Sequence, residues 1–471
     1  MLIPVPLEAG VTVKAMNLRG VGVVVAPESN RNSGLENLLE QAGWSRTQLA
    51  NAVNRTAREA GMALKYDQSA VSHWLSGTQP RAQARPVIIE ALERKLGRPV
   101  TFAEAGLRSP KAGSTADTGD TAASLLDLGR ADMDPSRRGV LAAGLYSAAL
   151  AVPLFAGEAY AEEKERSARP TGHIGAAEVA TVRTMTDRIA DILDELGAGH
   201  ARPMAAAFLV NTVAPYLRAS AAGPVRRDML SAASDLTYLT GWMAMYERAH
   251  GLGQQYYVKA LRLAQEAADH VTYCRTLRGM SLQASNLRYG QKALELADSA
   301  AEAAPDAGPR LVAFLRGQQA HASSMVGDRR QAFGRLREAE AALSKADSRR
   351  ESIGGYDQSA YQFHVAHVLY ETRDLPGSIA ALKTSLRAQP KQERQGRLHA
   401  NAVMAQRQFE FGHIEEACTT WGTFLDDYVG LSSARGDEHF ETMRKRIAPY
   451  GKLRAARELQ ERSRQVAGMK G

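Results

Sequence analysis

Apolar residues recur every three or four positions along most of the 471-residue chain, and period-two runs of Val, Ile and Thr are nearly absent. That rhythm predicts helices throughout. Between Leu35 and Leu107 it breaks into four pieces with plain stop signals. "GLENLLEQAG" predicts a short amphipathic helix ended by Gly43, and Ser45 then caps "RTQLANAVNRTAREAG", whose Leu49, Ala52 and Val53 share one face. Asp67 caps "QSAVSHWLSG", which Gly77 closes, and Pro86 opens "VIIEALERKLG", which runs to Gly97. "TFAEAGL" adds a final turn. Residues 1–33 hold a patch, "GVGVVVA", too short for a signal-peptide core, and are expected to be a poorly ordered tail; a start at Met16 also fits.

The rhythm fades over residues 108–138, where Ser, Thr, Gly, Asp and Pro predict a flexible linker. An apolar helix and connector are expected over 139–172. Nineteen uncharged residues run from Gly139 to Gly157. Their length would suit a spanning helix, and "SRRGVLAAG" looks like a twin-arginine signal. Both readings sit poorly behind a complete domain. Pro153, three glycines and six alanines make the run only weakly apolar, which favours a helix docked on protein.

Residues 173–471 read as helix after helix, and they repeat. Small residues pair twelve apart: Gly241 with Gly253, Ser281 with Ala293, Ala320 with Ala332, Ala366 with Ser378, and Ala405 with Ala417. Successive pairs are separated by 40, 39, 46 and 39 residues. A further small residue follows each pair at Ala260, Ala300, Ala339 and Ser385, and Phe424 breaks that series. Turn signals, "GD" at Gly327 and "RD" at Arg373, sit inside the pairs. Antiparallel helices joined by a short turn approach closely only when small side chains face each other, so the spacing predicts stacked helical hairpins. The pattern resembles degenerate tetratricopeptide repeats, with Pro305 and Pro390 where that family often ends its second helix.

Composition agrees with an all-α chain, since aromatic residues make up only 6%. The formal charge is +8, and its distribution is what matters. From Trp44 to Arg98 nine Lys or Arg face four Asp or Glu, so over half the excess lies in one segment. Cys274 and Cys418 lie far apart, in helical patterns, and read as packing residues of a reducing compartment. His364 and His367 share a helix face without a nearby third ligand, so no metal is expected.

Trp44–Arg85 has the layout of a helix-turn-helix, with one bracing helix and a second held by Val71, Trp74 and Leu75. Gln68, Ser69, Ser72 and His73 fall on the outward face at the second helix's start. Gln and Ser can donate to and accept from base edges, whereas lysines would bind phosphate regardless of sequence. Arg46, Arg81 and Arg85 bracket that face and are candidate phosphate contacts. "WSRTQLANAV" and "SAVSHWLSGTQPR" resemble the phage-repressor-like (XRE-type) helix-turn-helix class at Leu49, Ala50, Val71, Ser72, Trp74 and Gly77. The chain departs from that class by about a dozen residues, "NRTAREAGMALKY", between the two helices. With "RRGVLAAGLYSAALAVP" and "GWMAMYERAHGLGQQYYVKALRLAQEA", the chain resembles actinobacterial regulators that join such a domain to tetratricopeptide-like repeats, including negative regulators of sporulation and antibiotic production. The resemblance implies base reading by Gln68, Ser69 and Ser72, less directly by His73, and a phosphate contact at Arg46.

The expectation is therefore an all-α, cytoplasmic transcriptional regulator with a helix-turn-helix domain at 34–107 and a repeat domain at 173–471. Its partners would be double-stranded DNA, a peptide, protein or small-molecule effector at the repeats, and a second copy in a homodimer, with no membrane and no cofactor. The rival reading is a tetratricopeptide interaction scaffold that never touches DNA and is tethered to a membrane or free. No Walker A loop, zinc-site spacing or Gly-x-Ser-x-Gly elbow supports an enzyme.

Overall fold

The computed structural model describes residues 31–470 apart from 60–61, 99, 109–119, 135–145, 149, 151–154, 156–171, 304–306 and 347–354. The expected tail at 1–33 lies almost wholly outside the described residues. Apart from one isolated bridge between His173 and Ser220, every regular element among the described residues is helical.

Four helices build the N-terminal domain: α1 (Ser33–Ala42), α2 (Arg46–Glu59), α3 (Gln68–Leu75) and α4 (Arg85–Leu96). Each starts or stops for a local reason. Gly43 and Gly97 close α1 and α4 at φ 60° and 68°, conformations that cost other residues more. Ser45 and Gln48 form a reciprocal cap, with Gln48 N donating to Ser45 Oγ at 3.2 Å and Ser45 N to Gln48 Oε1 at 2.7 Å. Asp67 Oδ1 accepts from Ala70 N at 2.9 Å and starts α3. Leu35, Leu49, Val53, Val71, Ile88 and Leu92 meet in one buried core.

The extra dozen residues between α2 and α3 lengthen α2 and then return as a pinned loop. Asn54 Nδ2 donates to Tyr66 O at 2.7 Å, and Asn54 Oδ1 accepts from Tyr66 N at 2.8 Å. Tyr66 packs edge-on against Trp74 with ring centroids 5.0 Å apart, so the loop's end is held against α3.

The linker expected over 108–138 is corrected in part. Asp120 caps a fifth helix, α5 (Thr121–Met133), which buries Ala122, Leu125 and Leu128 in the core of the following domain. Asp132 on α5 pairs with Arg202 and accepts from Tyr256 Oη at 3.0 Å. The apolar face of α5 is short and its neighbours are remote in sequence, which is why local composition hid it. Of the apolar run at 139–157, the described residues dock on the repeats. Tyr146 stacks on Tyr289 at 5.4 Å, Ser147 exchanges two hydrogen bonds with Gln254, and Phe155 meets Tyr273. Among the described residues no helix is long and apolar enough to cross a membrane.

Beyond α6 (Ala176–Leu196), α7 (Ala198–Phe208) passes through a π turn into α8 (Ala214–Arg218). Five hairpins then stack: α9 (Gly223–Tyr246) with α10 (His250–Glu266), α11 (His270–Asn286) with α12 (Gly290–Glu302), α13 (Pro309–Met325) with α14 (Arg329–Leu343), α15 (Gln358–Glu371) with α16 (Leu375–Ala388), and α17 (Arg394–Phe411) with α18 (Ile414–Tyr428). The last pair is α19 (Ala434–Ile447) and α20 (Arg454–Lys470). This is solenoid-like packing of helical repeats.

Every small pair in the sequence sits at a hairpin contact. A Cβ on Gly253 would lie 3.0 Å from Gly241 O, and where the pair carries serine, its hydroxyl donates across, Ser281 to Ala293 O at 2.7 Å and Ser378 to Ala366 O at 2.9 Å. A second tier escaped the sequence pattern. Ser234 Oγ donates to Ala260 O at 2.8 Å and Ser359 Oγ to Ser385 O at 3.0 Å, while Cys274 and Ala313, at the same spacing, are buried in the same cores as Ala300 and Ala339. At the next hairpin that tier is Leu398 and Phe424, both fully buried, so the series ends where the solenoid meets its terminal pair. The one long interval, 46, falls where residues 344–357 join α14 to α15.

Left-handed residues turn each hairpin: Arg248, Arg288, Gly327, Arg373 and Gly412. Arg373, at φ 69° and exposed, bears the strain without a side-chain hydrogen bond or ion pair among the described residues, so Arg373→Gly should stabilise the chain by about 0.5–1 kcal/mol in urea unfolding. A loss of stability would mean the arginine side chain contributes at that turn.

The solenoid also closes on itself. Gly199 N donates to Ser432 O at 2.9 Å, Ser432 N to Leu196 O at 2.8 Å, and Arg394 Nη1 to Glu195 O at 3.1 Å. The end of α6 is thereby joined to the loop between α18 and α19, across most of the repeat domain.

Candidate functional site

Two places bring polar chemistry together. The first is the exposed side of α2 and α3. With Val71, Trp74 and Leu75 buried, α3 leaves Gln68, Ser69 and His73 exposed and Ser72 half-buried. Arg46, at the first turn of α2, lies against this face, and its Nη1 donates to Ser72 Oγ at 3.2 Å. Thr47 Oγ1 donates to Gln68 Oε1 at 3.4 Å. Ser72 is partly committed, since its hydroxyl also donates to Gln68 O at 2.9 Å. Arg31 joins Arg46, Ser72 and Ser76 around a shallow recess. The sequence pattern missed Arg31 because it stands at the edge of the unpatterned tail.

The remaining basic residues divide. Arg81 is exposed beyond the end of α3. Arg85, also a candidate phosphate contact, is half-buried and braces the domain as well: its Nε donates to Pro80 O at 2.8 Å and its Nη1 to Arg108 O at 3.2 Å. It ties the segment after α3 to the domain's end. The acids of α4 lie away from the α3 face. Glu90 pairs with Arg94, and Glu93 is buried, accepts from Val100 N at 3.0 Å and is raised to about 7, mainly by burial. A Cβ on Gly97, at the end of α4, would lie 3.6 Å from Arg288 O, which places that end of α4 against the repeat domain.

The second place is a cavity of about 380 Å³ on the inner side of the solenoid. It draws residues from α6 and from the first helices of the hairpins, among them Trp242, Arg278, Phe314, His364, His399 and Arg435, with Tyr356 from the long connection. Histidines from separate hairpins come close here: His321 and His367 rings are 4.5 Å apart, and His399 Nδ1 lies 3.0 Å from His439 Nε2. His364 Nδ1 meets Tyr356 Oη at 3.0 Å. Burial, with nearby arginines and histidines, holds all five well below the ordinary imidazole range, His321 at about 4 and His439 at about 3. They are neutral near pH 7, and His321, His364, His367 and His399 form polar parts of the cavity wall. Among the described residues no group of three or more His, Cys, Asp or Glu could hold a metal ion. Only the pair His364 and His367 was visible in the sequence, because the others come from helices 30 or more residues away.

The family model described as the SP15 N-terminal domain matches residues 35–108. That span is the four-helix N-terminal domain with its closing turn. No curated protein matches the chain. Among solved structures, the crystal structure of the APC/C hetero-tetramer Cut9-Hcn1 aligns over 92% of this chain and 74% of that chain, at 13% identity and a TM-score of 0.31. So loose a likeness bears on neither fold nor partner.

Proposed function

We propose that the helical-repeat domain is an interaction module and that the N-terminal domain directs it to DNA as a transcriptional regulator. The observation that carries the DNA reading is the face of α3: three exposed side chains able to meet base edges, with Arg46 in contact at its border. Gln68, Ser69 and His73 are the base-reading candidates, with Ser72 contributing its remaining acceptor. Arg46, Arg81 and Arg85 are the phosphate candidates, Arg85 with part of its guanidinium already engaged by backbone carbonyls. The effector or protein partner of the repeats would bind on their inner side.

Mapping chromosomal occupancy of the full chain would name target sites, and anisotropy titrations on one of them would test the face. Gln68→Ala should weaken cognate binding by about 1–3 kcal/mol with little effect on random DNA. Arg46→Ala should weaken binding on all sequences and reduce the salt slope by about one unit. Equal losses on cognate and random DNA for Gln68→Ala would remove it from base reading.

A second reading, an interaction scaffold without DNA, draws on the repeat domain itself, which forms most of the chain and encloses a cavity of about 380 Å³. Absence of chromosomal occupancy, together with co-purification of a protein partner, would decide for it.

A further inference from the structure

Arg278 of α11 is only 4% exposed, yet it makes no hydrogen bond or ion pair with any described residue, and its Nε is buried without a partner. Its guanidinium carbon lies 3.8 Å from the Phe314 ring centroid and 5.5 Å from that of Trp242. The cavity wall contains acids, but they are used elsewhere. Asp357 Oδ1 caps α15 through Ala360 N at 2.9 Å, Glu393 is approached by Gln389 Nε2 at 3.3 Å, and Asp194 is raised to about 7 by burial and then by Glu393. None of the three is ion-paired with Arg278. Arg435, also on the wall, has Asn286 Oδ1 at 3.4 Å and the Tyr246 ring at 5.5 Å in place of a carboxylate.

An arginine remains protonated even when buried, and a buried cation is costly unless paired. Two aromatic faces offset part of that cost and leave the planar N–H fork without an acceptor. A carboxylate would supply what is missing, because its two oxygens match that fork. The two rings beside it, Phe314 and Trp242, are flat and largely apolar, and a volume of about 380 Å³ is in the range of small-ligand sites.

We propose that the inner cavity binds a small carboxylic acid with an aromatic body, the carboxylate held by Arg278 and the ring among Trp242, Phe314 and Tyr356. The proposal gives a ligand class to the repeat domain's effector site. It rests on the reading of the repeats as a binding module and is independent of whether the N-terminal domain contacts DNA.

The test uses the full chain without DNA, titrated by calorimetry and thermal unfolding with indole-3-acetate and 1-naphthoate, each against its neutral amide. The acids should bind at least about tenfold more tightly than the amides and raise Tm as they saturate. Arg278→Met should keep or raise the Tm of the unliganded protein and lose about tenfold or more in affinity for the acids, while Arg278→Lys should retain part of it. Equal affinity for acid and amide, or no response to either acid up to about 10 mM, would overturn the proposal. A folded Arg278→Met that binds the acids like the wild type would do the same. If Arg278→Met does not fold, the comparison of acid with amide on the wild-type protein still decides. A peptide ending in a free Trp carboxylate that binds at least about tenfold more tightly than indole-3-acetate would overturn the small-molecule assignment in favour of a peptide terminus. Because no DNA is present, failure here leaves the DNA reading standing, and failure of DNA binding leaves this one.

Discussion

Replacing Gly197 with valine is expected to destabilise the repeat domain by about 2–5 kcal/mol, the largest effect of any single substitution considered for this chain. Two costs combine at that position. Gly197 has φ 90° and ψ 166°, a conformation open essentially to glycine alone. A Cβ there would also meet the carbonyl oxygen of Ser432 inside contact distance, with backbone on both sides and no flexible side chain to yield. The substitution therefore strains its own backbone and pushes α6 away from the loop after α18, where the solenoid closes. Urea unfolding of the full chain measures the loss. Gly334→Ala is the matched control: it lies within α14 with nothing within 4 Å of an added Cβ, and should be stabilising by about 1 kcal/mol. Equal stability of Gly197→Val and wild type would mean that the closing contact is not maintained in solution.

Acidification should destabilise the protein well before its surface carboxylates titrate. Six histidines, His250, His321, His364, His367, His399 and His439, are held below the ordinary imidazole range, with burial the leading cause in each case. Between about pH 6.5 and each depressed folded value, the unfolded chain binds protons that the folded chain refuses, so stability falls as pH falls through that window. For His321, which drops to about 4, the loss is on the order of 3 kcal/mol by pH 4. Glu93 and Asp194 work the other way. Both are raised to about 7, so their contribution is present at low pH and is lost as pH rises through 7. Asp235 and Glu247 are raised by burial as well, so with six groups against four the net expectation is a lower urea midpoint at about pH 5 than at about pH 7.5, and a shallower dependence in His321→Gln. A flat profile would show that water reaches these rings and protonates them without cost.

The histidine prediction also shows where local patterning stops being informative. His364 and His367 are three residues apart and readable as a pair, but their neighbours His321 and His399 enter from other hairpins. The same contrast runs through the candidate DNA face. Asp67, Val71, Trp74 and Leu75 announce an α3 with one buried side, because capping and helical spacing are local effects. What Arg85 does is not local. It looks like one more exposed cation beyond α3, and only the approach of Pro80 and Arg108 shows that its guanidinium braces the backbone.

By itself, the sequence determined that the chain is helical, that a four-helix domain precedes the repeats, and where each hairpin turns. Those features depend on side-chain periodicity, caps and small residues at contacts one hairpin apart, all of them effects within about 40 residues. Only the tertiary structure decided that residues 121–133 form a helix docked on the repeats, that Gly197 and Gly199 close the solenoid against Ser432, and that Arg278 is buried among aromatic rings without a counter-charge. The first two are meetings of segments far apart in the chain and the third is a meeting of adjacent hairpins, and in all three burial and electrostatic pairing depend on what comes near in space.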